Sequence, residues 1–554
     1  MSGEAEKKMV KTTIDGCEYE FPEGMTILEA ARSVGIQIPH YCYHPGLSIA
    51  GACRMCLVEI EKMPKLQISC YMTVGDGMVV HTSNERVKRA RKAMMEFHLV
   101  NHPVDCPVCD QAGECGLQEY YMMHGLYLSR LRENKVRKAR KAFLIGPYVM
   151  LDQERCILCS RCVRFCREIS QSHELGMFKR GDRSEIDIFA DRVLDNPYSV
   201  NVVDICPVGA LTEREFRFKT RVWYLESADS VCPRCSRGCN MFIHYNIKRP
   251  WKNQGRNVLR LKPRFNADVN RWWLCDEGRY CFKFIDDPDR LTEPLVRRDG
   301  QPGATSWEDA LAYAAERLTA ASGESGKEVV ALVSPQATNE ELHILKKILG
   351  ERLPGWRAAF TNATRFPETE DDILRKADKN PNTAGVRLAV LNGTGAMDLE
   401  ELKKAALDGK IGALLVSYTD LISLRDGLGL GWDEALDRVG CLLYIGTNDS
   451  ATARKARVVL PAAAFAEREG TITNFEGRLQ IQRRAFDPTG DALPGWEIIR
   501  RLGEALGGEY AFTSVEEVFD DLAASNDAFR GLDYDKIGSL GLKLKVKQNL
   551  LTDS

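Results

Sequence analysis

Short apolar runs broken by turn chemistry open the chain, and longer apolar stretches between helical patterns fill its second half. Val10–Ile14 and Glu18–Phe21 flank Asp15-Gly16, which predicts a β-hairpin. Thr26-Ile-Leu-Glu29 is a capping box opening a helix that ends near Gly35. Leu57–Ile60 reads as a strand, so residues 9–83 form a small β-rich domain. Residues 84–125 read as helical and Met241–Tyr245 as strand-like. Ser306-Trp-Glu-Asp-Ala caps a helix through about Thr319. Val329–Val333, Val386–Leu391, Ala413–Tyr418 and Leu442–Ile445 then read as buried strands between helices, an α/β pattern.

With 554 residues the chain has room for roughly three to five domains. A net charge of −2 gives no global basic field to argue for nucleic acid. No run of about 18 apolar residues is present, so no membrane span is expected. The opening MSGEAEKKMVKTTIDG lacks the apolar core and cleavage site of a signal peptide. Cysteine changes the picture most. Residues 1–285 carry 18 of the 19 cysteines, and 286–554 carry only Cys441. C-x-x-C repeats in a long chain without a signal read as metal ligands in a reducing compartment rather than as a disulfide scaffold.

Fifteen of those cysteines form four groups. Cys42, Cys53, Cys56 and Cys70 follow a loop-then-distant-cysteine logic like that of [2Fe–2S] proteins, with Gly51 letting backbone N–H groups approach the cluster sulfurs. A structural zinc site is the competing reading. Cys106, Cys109 and Cys115 leave one ligand position open, which His102, Asp105 or Asp110 could fill. A neutral imidazole in place of an anionic thiolate would raise the centre's potential. Cys156-x2-Cys159-x2-Cys162-x3-Cys166 is a bacterial ferredoxin run, and Cys206-Pro-Val-Gly-Ala-Leu matches the segment that completes such a set. No second run lies near Cys206, so Cys206 closes a [4Fe–4S] set with Cys156, Cys159 and Cys162, and Cys166 is left without a cluster. Arg155, Arg161, Arg164 and Arg167 bring positive charge to these thiolates, a solvated face being the plainer reading for some. Cys232, Cys235, Cys239 and Cys275 suit a further [4Fe–4S] centre, with a zinc ribbon as competitor. Cys17, Cys281 and Cys441 read as ordinary thiols.

In this order the four groups resemble the large iron–sulfur subunit of respiratory NADH–quinone oxidoreductase, complex I. The stretches that carry the resemblance are Ile38-Pro-His-Tyr-Cys42, His102-x3-Cys106-x2-Cys109-x5-Cys115, Leu151-Asp-Gln-Glu-Arg-Cys156-Ile-Leu-Cys159 and Asp204-Ile-Cys206-Pro-Val-Gly-Ala-Leu211. The resemblance implies that His102 is the fourth ligand of its [4Fe–4S] centre. It implies that the Cys232 group is an extra, off-route cluster of some bacterial members, which points to a bacterial source. It also implies electron entry from a flavin subunit at the Cys42 group, passage to the Cys156/Cys206 and His102 centres, and exit to a neighbouring subunit toward quinone.

The second half resembles the molybdopterin oxidoreductase fold through Asp289-Arg-Leu-Thr-Glu-Pro-Leu, Val458-Val-Leu-Pro461 and Gly470-Thr-Ile-Thr-Asn-Phe-Glu-Gly477-Arg. It is far shorter than enzymes of that fold, and Cys441 is its only thiol, so a catalytic pterin site is not expected. Asn392-Gly-Thr-Gly395 reads as a plain turn, and Gly427-x-Gly429-x-Gly431 is no dinucleotide fingerprint. The expected architecture is therefore multidomain α+β and α/β. A β-grasp [2Fe–2S] domain spans 1–84, a helical histidine-ligated [4Fe–4S] domain 85–149 and a ferredoxin-like [4Fe–4S] domain 150–221. An additional [4Fe–4S] domain spans 222–285, and a truncated molybdopterin-oxidoreductase-like domain 286–554.

The cofactors expected are one [2Fe–2S] and three [4Fe–4S] clusters, without molybdopterin. The resemblance implies the flavin/NADH-binding subunit and other peripheral-arm subunits as partners. It further implies membrane association only through the membrane arm, on the cytoplasmic face, and no complete active site on this chain. Basic runs at Arg132–Lys141 and Lys536–Lys547 mark either partner faces or solvated surface. Two other readings stand beside this one. An iron–sulfur subunit of an NAD-linked formate dehydrogenase or hydrogenase shares the first half, and a zinc-stabilised scaffold has no redox role.

Overall fold

The computed structural model describes residues 8–551, apart from 254, 299, 300, 363, 392–394 and 426 and the side chain of Asn549. The chain divides into two compact units, Met1–Leu225 and Glu226–Ser554.

The first unit opens with β1 (Met9–Ile14) and β2 (Cys17–Pro22), paired antiparallel with Ile14 opposite Cys17. Asp15 and Gly16 both take positive φ, the geometry a two-residue hairpin demands. α1 (Ile27–Ser33) carries the full capping box, with Thr26 and Glu29 satisfying each other's backbone N–H groups. β3 (Leu57–Ile60), β4 (Gln67–Ile68) and β5 (Met78–His81) complete a five-stranded sheet of order β2-β1-β5-β3-β4. α2 (Glu85–Leu99), N-capped by Asn84, and α3 (Gly116–His124) bracket the second cysteine loop. Then come β6 (Ala142–Leu144), β7 (Val149–Asp152), α4 (Arg161–Glu168), the hairpin β8 (Leu175–Phe178) and β9 (Glu185–Ile188), α5 (Asn201–Asp204) and β10 (Leu211–Glu213). β10, β7 and β6 form one small sheet, so the ferredoxin run leaves β7 and its remote cysteine enters β10.

The basic stretch 132–141 is folded onto its own unit. Arg137 and Lys141 pair with Glu154, Arg140 with Asp187, and Lys135 donates to the C-terminal carbonyls of Leu99 and Val100. These pairs tie the run to its own unit, while the Arg137, Arg140 and Lys141 side chains stay exposed. In the second run Lys543, Lys545 and Lys547 are exposed.

The second unit begins with an antiparallel sheet of β11 (Glu226–Val231), β12 (Asn240–Tyr245) and β13 (Val258–Pro263), followed by the one-turn α6 (Asp276–Arg279). β14 (Leu295–Arg298) and β15 (Gln301–Ala304) form a hairpin, and α7 (Trp307–Gly323) starts on a Ser306 cap. β16 (Glu328–Val333), α8 (Asn339–Arg352), β17 (Arg357–Phe360), α9 (Thr383–Val386), β18 (Ile411–Ser417), β19 (Cys441–Gly446) and β20 (Val458–Pro461) follow. The seven-stranded sheet runs β15-β14-β20-β19-β18-β16-β17, parallel from β20 to β17. Every residue of β18 and β19 is buried, which explains their unbroken apolar sequence. β21 (Gly470–Thr473), β22 (Arg478–Gln482) and β23 (Leu542–Lys543) form a last small sheet.

Val386–Leu391 is not the strand its apolar run predicts. α9 passes into a π-helical turn over Arg387–Leu391, with Val386, Leu388, Ala389 and Val390 buried in the main core. A short apolar run fits a buried helix as well as a strand. Here side chains satisfy the displaced carbonyls, Asn526 donating to Leu388 O at 2.9 Å. The strand beyond β16 is instead β17, an edge element of mixed burial. Asn392, Gly393 and Thr394 of the Asn-Gly-Thr-Gly motif lie outside the described residues. Among the described residues no helix is long and apolar enough to cross a membrane.

Candidate functional site

In the first group, Cys42 lies on the loop after α1, Cys53 and Cys56 enter β3, and Cys70 follows β4; all are buried. The loop turns sharply where Gly51 and Arg54 take positive φ. The thiols associate in two pairs, Cys42 with Cys53 and Cys56 with Cys70. Within each pair one thiol is pulled down and the other pushed up. Cys42 is lowered to about 5 by the hydrogen bond from Cys53, with help from N–H groups of Cys53 and Ala52 and from Arg164, against burial. Cys56 is lowered to about 7 chiefly by Cys70. Tyr41 N–H donates to Cys53 Sγ at 3.3 Å. Pairs of thiols among backbone donors suit a two-iron core, which takes two ligands at each iron.

The second group occupies the loop between α2 and α3. Cys109 and Cys115 are buried and Cys106 is half-buried. Cys115 is the N-cap of α3, so the amides of Leu117 and Gln118 face its sulfur, while burial pushes the thiol up to about 11. Arg221 donates to Cys109 O and Pro107 O, both at 2.5 Å, and latches the loop. Of the candidate fourth ligands, Asp110 accepts from Phe218 N–H at 2.8 Å and Asp105 accepts from Arg155 at 3.0 Å. His102 differs from both. Burial and the nearby Arg155 charge lower its imidazole to about 4, the ring bonds the backbone of Arg155, and Nδ1 is buried with no hydrogen bond. A neutral ring fixed through one nitrogen, with the other orphaned, has the form of a metal-ligating histidine.

The third group lines one enclosed cavity, with Cys156, Cys159, Cys162 and Cys206 set among Leu151, Ile157, Ile186 and Val208. Leu158 and Ser160 take positive φ, which curls the loop, and Leu158 N–H donates to Cys156 Sγ at 3.4 Å. Burial raises Cys156 and Cys206 to about 12, opposed at Cys206 by N–H groups of Val208, Ala210 and Leu211. Thiolates in such a place need a positive centre, and the cavity with its converging amides suits an iron–sulfur core. Cys166, one turn after Cys162 on α4, does not line this cavity; Ser170 and Ser172 hydrogen-bond its thiol. Among the described residues no three His, Cys, Asp or Glu side chains converge on one point as around a single ion.

The arginines of the ferredoxin run do not stay with their own cysteines. Arg164 donates to Cys42 O at 2.5 Å and Cys159 O at 3.3 Å, and Arg161 to Ile205 O at 3.0 Å and to Tyr43 O. Both tie α4 to the loop of the first group. Arg155 reaches the second group, and only Arg167 lies on the surface, paired with Glu168. Gly209 shows how tightly the groups abut: a Cβ there would sit 2.4 Å from Cys109 Sγ. The three groups share one apolar core, in which Tyr41, Cys42, Cys53, Met95, Cys115 and Val208 are buried and Cys156, Cys159 and Cys206 pack against them.

In the second unit, Cys232 follows β11, Cys239 precedes β12, Cys275 caps α6 and Cys235 lies between; all are buried. Gly278 N–H donates to Cys275 Sγ at 3.3 Å, and a Cβ at Gly278 would stand 2.9 Å from Cys232 Sγ. Burial raises Cys235 to about 11, opposed by N–H groups of Arg237 and Lys376 and by the Lys379 charge. Cys281, read from sequence as an unpartnered thiol, hydrogen-bonds to Cys232. Its position six residues past Cys275 was the available signal. Cys441 is buried within β19. A cavity of about 770 Å³, bordered by Cys281, Ser334, Tyr418 and Thr447, opens at the carboxyl ends of β16, β18 and β19.

Four family models match the chain. They are a 2Fe-2S iron-sulfur cluster binding domain over residues 7–85, and an NADH-ubiquinone oxidoreductase-G iron-sulfur binding region over 91–130. The ferredoxin-like domain of NADH-quinone oxidoreductase subunit 3 matches 146–212, and molybdopterin oxidoreductase matches 290–353 and 431–505. A subunit of the NADH-quinone oxidoreductase of Rickettsia bellii is 31% identical, covering 95% of this chain and 90% of its own. The mitochondrial NADH dehydrogenase [ubiquinone] iron-sulfur protein 1 of Solanum tuberosum is 31% identical over 98% of this chain and 84% of its own. The NADH-ubiquinone oxidoreductase 75 kDa subunit of Reclinomonas americana is 30% identical over 92% and 90%.

Proposed function

The chain belongs to the family of the large, 75 kDa-type iron–sulfur subunit of NADH-quinone oxidoreductase, and on that premise we propose how its cysteine groups divide the work. It is an electron-transfer subunit of complex I, carrying electrons from the flavin subunit through iron–sulfur clusters toward quinone. It holds clusters of both the [2Fe–2S] and [4Fe–4S] kinds, and other complex I subunits are its partners.

Cys42, Cys53, Cys56 and Cys70 hold the [2Fe–2S] cluster. His102, Cys106, Cys109 and Cys115 hold one [4Fe–4S] cluster, Cys156, Cys159, Cys162 and Cys206 a second, and Cys232, Cys235, Cys239 and Cys275 a third, off the route. The observation that carries this reading is the single apolar core shared by the first three groups. When bound, the clusters supply one-electron redox centres. The protein's own part is to exclude water from that core, aim N–H groups at the thiolates and place guanidinium charge between neighbouring groups. Arg164 lies between the first and third groups and Arg155 between the third and second, which supports that order of transfer. The immediate partners are then the flavin/NADH-binding subunit and its peripheral-arm neighbours, on the cytoplasmic side of the membrane. The five domains drawn from sequence belong to the same proposal. Residues 286–554 serve as scaffold without a pterin.

Metal analysis with EPR on the anaerobically purified chain tests this. About 14 iron atoms per chain, one [2Fe–2S] and three [4Fe–4S], without molybdenum is the expected result. Bound molybdenum or tungsten would favour a formate dehydrogenase-type subunit. Stoichiometric zinc without a reducible signal would leave only a scaffold.

A further inference from the structure

Arg155 stands immediately before the ligand Cys156, yet its side chain turns away from the cavity of its own group. It is 4% exposed. Its Nη2 donates to Asp105 Oδ2 at 3.0 Å and lies 3.5 Å from Val108 O, both on the loop of the second group. Its Nε lies 3.6 Å from Asp152 Oδ2, at the end of β7. Its Cδ is 3.6 Å from the place a Gly209 Cβ would take, beside Cys109 Sγ. The charge acts on Cys109, and its backbone holds the His102 ring. A buried guanidinium is thus supplied by one cysteine group and spent on the other.

We propose that Arg155 is a positioning residue for the His102 centre: it fixes the imidazole through its backbone and raises that centre's potential through its charge. This rests on the ligand assignment above. Reduction adds an electron to a centre in a dry core, and a fixed positive charge there favours the reduced state more than it would in water. Asp105 partly cancels that charge, so the two side chains act with opposite sign. Arg161 and Arg164 are engaged with Ile205 O and the Cys42–Ser48 loop, which leaves Arg155 as the arginine of the run that serves the second group.

The test is an EPR-monitored redox titration of the intact complex carrying Arg155→Gln, Arg155→Lys or Asp105→Asn, with His102→Cys identifying which signal is the histidine-ligated one. In Arg155→Gln the midpoint of the His102 centre falls, and that of the Cys156/Cys206 centre moves less. Arg155→Lys restores most of the shift. Asp105→Asn moves the same centre upward. A purely structural residue would not give opposite shifts in these two variants. Equal potentials in all variants, or a larger shift at the Cys156/Cys206 centre, overturn the proposal. If Arg155→Gln fails to assemble, Asp105→Asn and Arg155→Lys decide it alone. Should His102→Cys alter none of the [4Fe–4S] signals, the ligand assignment has failed instead, which is a separate outcome.

Discussion

Gly209→Ala adds one methyl group at the seam between two cysteine groups. The new Cβ would lie 2.4 Å from Cys109 Sγ and 3.2 Å from Gln111 Cβ. Carbon contacts settle at roughly 3.5–4.0 Å, so the first is an overlap of about 1 Å. Gly209 has no positive φ, so alanine meets no backbone strain and the effect isolates the contact. Overpacking of this kind costs about 1–3 kcal/mol. Lowered chain entropy in the unfolded state returns roughly 0.4–1 kcal/mol. The net, about 1–2 kcal/mol, falls on Cys109, because the alternative is to displace the segment that also carries Cys206. The expected result is selective loss or lability of the His102-ligated centre, read as about four fewer iron atoms per chain and one missing [4Fe–4S] signal. Gly323→Ala is the control, since a Cβ at that position meets nothing within 4 Å. Full iron content, unchanged spectra and control-like stability in Gly209→Ala would refute the close seam.

His102→Cys should keep its cluster but lower its potential, because an anionic thiolate replaces a neutral ring; an unaltered potential removes His102 from the ligands. Cys166→Ser should leave the iron content unchanged, whereas Cys206→Ser should lose about four irons, by colorimetric iron assay. Glu340, buried against Thr471 N–H and the Tyr534 hydroxyl, is raised to about 7 by burial, above its unfolded value of 4.5. The folded state therefore holds the extra proton between pH 4.5 and 7. Its contribution is full below 4.5 and declines as pH rises through that window, by up to about 1.4 kcal/mol per pH unit. Denaturant melts of Glu340→Gln across this range should lack that slope, and an identical slope would rule Glu340 out as its source.

Local rules made part of this molecule legible. The Asp15-Gly16 hairpin and the Thr26/Glu29 box need only neighbouring residues, and both formed where the sequence placed them. β16, β18 and β19 announced themselves as apolar runs because the sheet buries both their faces. Val386–Leu391 misled for the same reason: apolar content without period fits any buried element. The cysteine groups were legible as spacing, but what lies between them was not. Nothing in the spacing says that Arg155 serves the loop at 102–115, or that Arg164 grips Cys42. Those contacts span 50 and 122 residues and exist only once β7 and α4 are folded against the first domain. Cys281 was missed because it joins Cys232 through α6 rather than through a C-x-x-C repeat.

On the proposed ligand assignment, the first three groups form one continuous route in a shared dry core. Rapid-freeze EPR after an NADH pulse tests it most directly, in the intact complex with and without Cys206→Ser. The expected result is prompt reduction of the His102 centre in the parent and, without the Cys156/Cys206 centre, far slower reduction. An unchanged rate of reduction at the His102 centre in Cys206→Ser would contradict it.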